Sequence, residues 1–252
     1  MYLSLTTYRF RYYEFIDHYN FDREVVGVAM NYFDRYISSE TSCKDANNIL
    51  ATYQTVAATA LFLAIKLHAT SSAICAEENN SLRNRALSKI LNGTSQPQNI
   101  LDMEMNMLCV LDWNVNPPTL HSFAFMLCKL HPLSDICGES GVYLYESTRY
   151  QVELAILVPE VLVNFKSSTI VYAAMKNAEE KIYADNPRIL ATNGKRSLEA
   201  PSLHHSGMMV DSTQVIQCQI MLKRACQLPD LDYFIETDRN VHSPTNVVEF
   251  CD

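Results

Sequence analysis

The sequence predicts an all-α protein, and three observations carry that prediction. The stretch Tyr53–His68 is apolar on nearly every side, with Gln54 and Lys66 its only strongly polar side chains before the closing His68. Apolar residues recur at three- and four-residue spacing in run after run, and no strand-like alternation of any length interrupts them. Pro117-Pro118 then divides the helical runs into a first set of five and a second set. A helix that is apolar all round belongs inside other helices. At about 15 residues it is too short for a bilayer, which needs roughly 20. Ala57, Ala58, Ala60 and Ala64 favour the helix and let neighbours approach closely, so this is the central helix of its domain. Lys66 is its odd residue, a charge at the end of a dry helix on the same face as Thr59, Phe62 and Leu63.

The other elements follow in order. Tyr8 to Tyr19, aromatic and mixed with charge, predicts a first helix. Asp22 caps the next, with Glu24 at its positive end. Val25, Ala29, Tyr32, Phe33, Tyr36 and Ile37 carry that helix to about Ser38, and Asp34-Arg35 interrupts the run as a structural pair. Asp45, Asn47 and Asn48 are cap candidates for the central helix. Ala69 to Asn80 reads as a loop, and Ser81 to Leu91 as a short helix stopped by Asn92-Gly93. Pro97 precedes a strong helix from Gln98 to about Trp113. On it Glu104, Leu108, Leu111 and Val115 form one stripe, again with a charge at its end, and Trp113 is read as core.

Thr119 caps a fresh helix with Phe123, Phe125, Met126, Leu127 and Leu130. Helices over about Tyr143–Val158 and Ser168–Ile182 follow, parted by Pro159 and Asn164. Asp185 to Met209 is rich in Asn, Gly, Pro, Ser and His and reads as a loop. A last helix spans roughly Thr213 to Gln227, before a weakly ordered tail. The expected domains are therefore 8–118 and 119–227, with a tail at 228–252.

Composition narrows the function. The 252 residues are 48% hydrophobic, enough for a sizeable core. A net charge of −8 without a clustered basic face argues against a nucleic-acid partner. Eight cysteines are scattered without a C-x-x-C pair, which predicts a reducing intracellular compartment. No basic segment followed by a long apolar run opens the chain, so no secretory signal is expected. There is no Gly-rich phosphate loop, no G-x-S-x-G, no H-E-x-x-H and no kinase catalytic loop, so no enzyme activity and no cofactor are expected. Cys109 and Cys128 lie in apolar helical runs, where burial would make them inert. His204-His205 lacks Cys or carboxylates at metal-ligand spacing, so no metal is expected there.

The order of helices and the residues inside it resemble a cyclin. Asn31-Tyr32-Phe33-Asp34-Arg35-Tyr36 is similar to the family's second-helix signature. Tyr53-Gln54-x-Val56 with Leu63-Ala64-x-Lys66 resembles its buried third helix. Met103-Glu104, Leu108, Leu111-x-Trp113-x-Val115 and Pro117 with Thr119 resemble its fifth helix and the break into a second repeat. The resemblance implies a five-helix cyclin box around the central helix, followed by an incomplete or divergent second repeat.

It also implies a function. The chain would be a non-catalytic subunit that binds and activates a cyclin-dependent Ser/Thr kinase in cell-cycle progression, in nucleus and cytoplasm. Lys66 and Glu104 would hydrogen-bond the kinase, beside an apolar bed of Leu63, Leu67, Leu108 and Val115. The family's docking groove for substrates maps onto Arg11, Tyr53 and Gln54, with Arg11 in place of a tryptophan and Tyr53 in place of a common leucine. Leu5 stands where the family has the arginine that pairs with Asp34, leaving Arg9 or Arg11 for that role. No N-terminal extension offers room for a degradation signal, so a short member of the family or one lacking its N-terminal part is expected. The alternative reading is a cyclin-fold regulator or scaffold in transcription. Neither nucleic acid nor membrane is an expected partner.

Overall fold

A computed structural model describes residues 2–19, 21–39, 49–68, 97–135, 139–185 and 211–227. Among these every regular element is helical, and no strand occurs. The chain divides into two compact units, Met1–Thr119 and Leu120–Asp252. The expected helix Ser81–Leu91, the cap candidates Asp45, Asn47 and Asn48, the loop Ala69–Asn80, the loop Asp185–Met209 after its first residue, His204-His205 and the tail lie outside the described residues.

The first unit holds α1 (Tyr2–His18), α2 (Glu24–Ser38), α3 (Ile49–His68) and α4 (Pro97–Val110). α3 is the expected central helix, packed by α2 and α4. From Val56 to Ile65 every residue of it is buried. Its alanines Ala57, Ala60 and Ala64 are at most 2% exposed, which is what close helix approach requires. α1 begins at Tyr2, earlier than the aromatic run predicts, and reaches α3 through Tyr12, whose hydroxyl donates to Ala57 O at 2.6 Å. Asp17 and Arg23 close the α1–α2 corner with two bonds, 2.8 and 2.9 Å, the fork geometry that favours arginine. Asp22 accepts the Glu24 amide at 2.8 Å, as a helix-start carboxylate should.

α4 stops at Val110, short of the expected Trp113. The Trp113 amide bonds back to Leu108 O at 3.0 Å and the Asp112 amide to Cys109 O at 3.1 Å. That is a Schellman ending, with Asp112 in the left-handed position glycine usually takes. The turn throws Trp113 outward, and the residue read as core is 61% exposed.

The second unit holds α5 (Leu120–Lys129), a 3₁₀ turn (Pro132–Asp135), α6 (Glu139–Leu157), α7 (Pro159–Asn164), α8 (Ser167–Asp185) and α9 (Ser212–Ala225). α8 is its buried helix, packed by α5, α6 and α9, with Ile170 to Met175 closed from water. Pro159 opens α7 at the position where a missing N–H costs nothing, which parts it from α6. Asp211 starts α9 by accepting the Thr213 amide at 2.9 Å. Burial pushes the thiols of Cys128 and Cys218 up to about 12. Cys109 departs from its expected burial, because it lies on the outward side of α4 and is exposed.

Candidate protein-binding face

Two side chains that end separate apolar rows meet in the first unit. Lys66, in the last turn of α3, brings its Nζ 2.6 Å from Oε1 of Glu104 on α4. The partners differ in exposure: the Lys66 side chain is 41% exposed and that of Glu104 only 9%. The buried carboxylate is thereby held by one cation that still faces water, so the pair is fixed in place yet open to a further contact.

The apolar surroundings are only partly those expected. Leu67 is 46% exposed, while Leu108 and Val115 are half-buried. Leu63 does not belong to this bed: it is 1% exposed, covered by its own unit. It stands three residues before Lys66, but on the side of α3 that neighbouring helices enclose. Leu101 at 52% and Met105 at 55% are exposed on α4 near Glu104, and Trp113 at 61% is exposed in the turn after it; none of them is part of the bed expected from the sequence. Leu101, Glu104, Met105 and Leu108 recur at three- and four-residue spacing and so share one side of α4. Ile100, Met107 and Leu111 form the adjoining buried arc, and Glu104, three and four residues from Met107 and Ile100, stands where the two meet. The apolar arc of α4 is wider than its neighbours cover, and that excess width is the signal the sequence carries.

The turn after α4 is tied to α2 and α3. Arg35 donates to Asn114 O at 2.8 Å and to Leu111 O at 3.0 Å. The Tyr32 hydroxyl donates to Val115 O, and His68 Nε2 lies 2.8 Å from the same carbonyl and 2.9 Å from the Tyr32 oxygen. Burial pushes the Tyr32 phenol up to about 12, with Arg35 opposing, so it stays a donor.

These bonds correct the expected Asp34–Arg35 pair. Successive helix residues point about 100° apart, so Arg35 turns to the carbonyls after α4 and Asp34 faces elsewhere. Desolvation of the Asp34 carboxyl raises its pKa, and the nearly buried Arg9 guanidinium opposes that rise. Of the candidates Arg9 and Arg11, it is Arg9 that acts on Asp34. Arg11 is exposed, and Tyr53 and Gln54 are half-buried, with the Tyr53 ring 6.4 Å from that of Phe33. No described contact joins Arg11 to Tyr53 or Gln54. Among the described residues no three His, Cys, Asp or Glu side chains gather as metal ligands, and no helix is long and apolar enough to cross a membrane.

The class this architecture defines is an all-helical box wrapped on a buried central helix. Residues 12–116 match the family model described as the cyclin N-terminal domain, and over that stretch the chain resembles the cyclin family. It is similar to the G1/S-specific cyclin-D1 of Mus musculus, 29% identical over 118 residues, covering 45% of this chain and 34% of that one. The human G1/S-specific cyclin-D1 is 30% identical over 106 residues, covering 40% and 30%. The match thus spans about a third of these relatives' length. In fold the chain is similar to one from the structure of the CAK complex of Chaetomium thermophilum bound to ATP-gamma-S. There the TM-score is 0.52 at 18% identity, covering 96% of this chain and 69% of the other.

Proposed function

We propose that this protein is a non-catalytic subunit that binds and activates a cyclin-dependent Ser/Thr kinase, and through it regulates cell-cycle progression. One observation carries the reading: the Lys66–Glu104 pair lies beside exposed apolar side chains, Leu67 on α3 and Leu101 and Met105 on α4, with the exposed Trp113 in the turn that follows. Exposed apolar side chains gathered on one surface mark a protein-interaction site. A fixed charge pair beside them sets register and partner choice. The relatives named G1/S-specific cyclins and the fold shared with a chain of the CAK complex support a kinase as the partner.

The mechanism is a population shift. A kinase is active when its β3 lysine pairs with the glutamate of its αC helix and its metal-binding Asp is in place. A subunit that binds only the helix-in arrangement favours it by its difference in affinity for the two states, and about 5.5 kcal/mol of difference would carry a 1:99 mixture to 99:1. On this reading Lys66 and Glu104 hydrogen-bond the kinase while the apolar side chains cover its helix. The net charge of −8 speaks against nucleic acid as a direct partner.

The test uses the purified chain and a panel of cyclin-dependent kinases. Phosphotransfer by one of them should rise by orders of magnitude on mixing. The double reversal Lys66→Glu with Glu104→Lys keeps the internal pair but offers each charge at the wrong place, and should abolish the rise. Activation that survives the double reversal would refute the reading.

A further inference from the structure

The turn Leu111–Val115 holds two successive non-glycine residues at positive φ, Asp112 at 52° and Trp113 at 57°. Such backbone persists only where its surroundings over-determine it. Beyond the backbone bonds of the helix end itself, side chains from α2 and α3 hold it. Tyr32 and Arg35 are three residues apart on α2 and so reach the same side. The planar fork of Arg35 spans Leu111 O and Asn114 O, at 3.0 and 2.8 Å, and Tyr32 donates to Val115 O. His68 completes the set, and its proton can be placed. Its Nε2 faces a carbonyl that only accepts and a hydroxyl whose hydrogen is already directed at that carbonyl. Nε2 therefore carries hydrogen.

We infer that Tyr32, Arg35 and His68 are positioning residues: they lock the Leu111–Val115 turn so that Trp113 is displayed rigidly on the apolar face. The inference rests on the proposed kinase-binding role for its purpose, though not for its geometry. Ordering the turn in advance removes part of the entropy that association would otherwise cost. It also explains why a bulky indole can stand 61% exposed without folding back onto its own unit.

Trp113 is the only tryptophan in the chain, so its emission reports this turn alone. Time-resolved anisotropy on the full chain should show little fast local motion of the indole in the wild type. Arg35→Gln should at least double the amplitude of that motion, with helical content unchanged, and Arg35→Lys should behave like Arg35→Gln because an ammonium cannot fork. His68→Gln, which can place an amide N–H near Nε2, should keep the wild-type signal, whereas His68→Ala should loosen the turn. Affinity for the activated kinase should fall about tenfold in Arg35→Gln and His68→Ala and recover in His68→Gln. Unchanged anisotropy in both Arg35→Gln and His68→Ala would overturn the inference, as would a loosened turn that binds the kinase as tightly as before. Should the wild-type chain bind no such kinase, the functional reading falls, and the anisotropy alone decides whether the clamp is real.

Discussion

The buried helices of the two units, α3 and α8, each deal with a carboxylate that is almost out of water, and they do so in opposite ways. Glu104, 7% exposed, is held by a Lys66 from the neighbouring central helix whose side chain stays largely in solvent. Glu179, 3% exposed, sits on the central helix α8 itself, hydrogen-bonded by Lys176 and Tyr183 with the His131 ring nearby. Lys176 Nζ lies 2.6 Å away, the Tyr183 hydroxyl 3.1 Å and His131 Nε2 3.4 Å. Lys176 in turn lies 5.7 Å from the centre of the Tyr172 ring. A buried acid therefore says little about function by itself. What separates a binding feature from an internal strut is whether its cation and its apolar neighbours stay open.

The largest effect that tests this contrast is on stability. Glu179→Ala removes the acceptor shared by Lys176 and Tyr183 in the second unit and should cost about 4 kcal/mol, since removing one partner of a buried network leaves the others uncompensated. Glu104→Ala releases the Lys66 ammonium to water and should cost about 1 kcal/mol. Urea unfolding followed by circular dichroism, with Trp113 emission reporting the first unit separately, would measure both. Equal losses would break the contrast.

A second pair sharpens it within one helix. Leu63 and Leu67 are one turn apart, yet 1% and 46% exposed. Leu63→Ala should cost about 3 kcal/mol through lost burial and the cavity left behind. Leu67→Ala should cost under about 0.5 kcal/mol in stability. Its effect should appear instead in kinase binding, as a roughly tenfold weaker Kd.

The sequence carried the framework because its strongest signals are periodic. An all-apolar run such as α3 has only one place in a helical fold, and rows ended by Lys66 and Glu104 point to the same edge once their helices pack. Local geometry that no period encodes was not legible. The end of α4 depends on Asp112 taking a left-handed conformation without glycine to announce it, so Trp113 was assigned to the core. Leu63 shares spacing with Lys66, but spacing does not say which side a neighbouring helix covers. Leu101 and Met105 lie off the row Glu104, Leu108, Leu111, Val115, and spacing along that row does not point to them. The enclosure of Glu179 joins α8 to His131 on another segment, a juxtaposition that only the folded chain makes visible.

Thiol chemistry probes the contrast without perturbing it. Cys109 is exposed beside the candidate face, whereas burial pushes Cys128 and Cys218 up to about 12. Iodoacetamide labelling mapped by mass spectrometry should modify Cys109 at least tenfold faster than either of the others, because the reactive species is the exposed thiolate. Bound kinase should slow labelling at Cys109 and leave the other two unchanged. Protection of Cys128 or Cys218 would place partner-induced change in the second unit instead.

The smallest effect concerns Glu180 and Lys223, 2.7 Å apart with side chains 56% and 52% exposed. Burial pushes the Glu180 carboxyl up, but hydrogen bonds from Lys223 and Gln219 outweigh it and leave the pKa below the ordinary value. A depressed folded-state pKa gives stability that is present above the unfolded value of about 4.3 and lost as pH falls through the folded one. With both groups mostly in water the gain should be only ~0.3 kcal/mol and should shrink with salt. Urea midpoints for the wild type and Lys223→Met, followed from pH 6 to pH 3.5, should differ slightly at the upper end and converge at the lower. If this pair instead mattered as much as the enclosed Glu179, exposure would not be what ranks the ion pairs of this protein, and the openness of Lys66 would lose its meaning as a mark of a binding face.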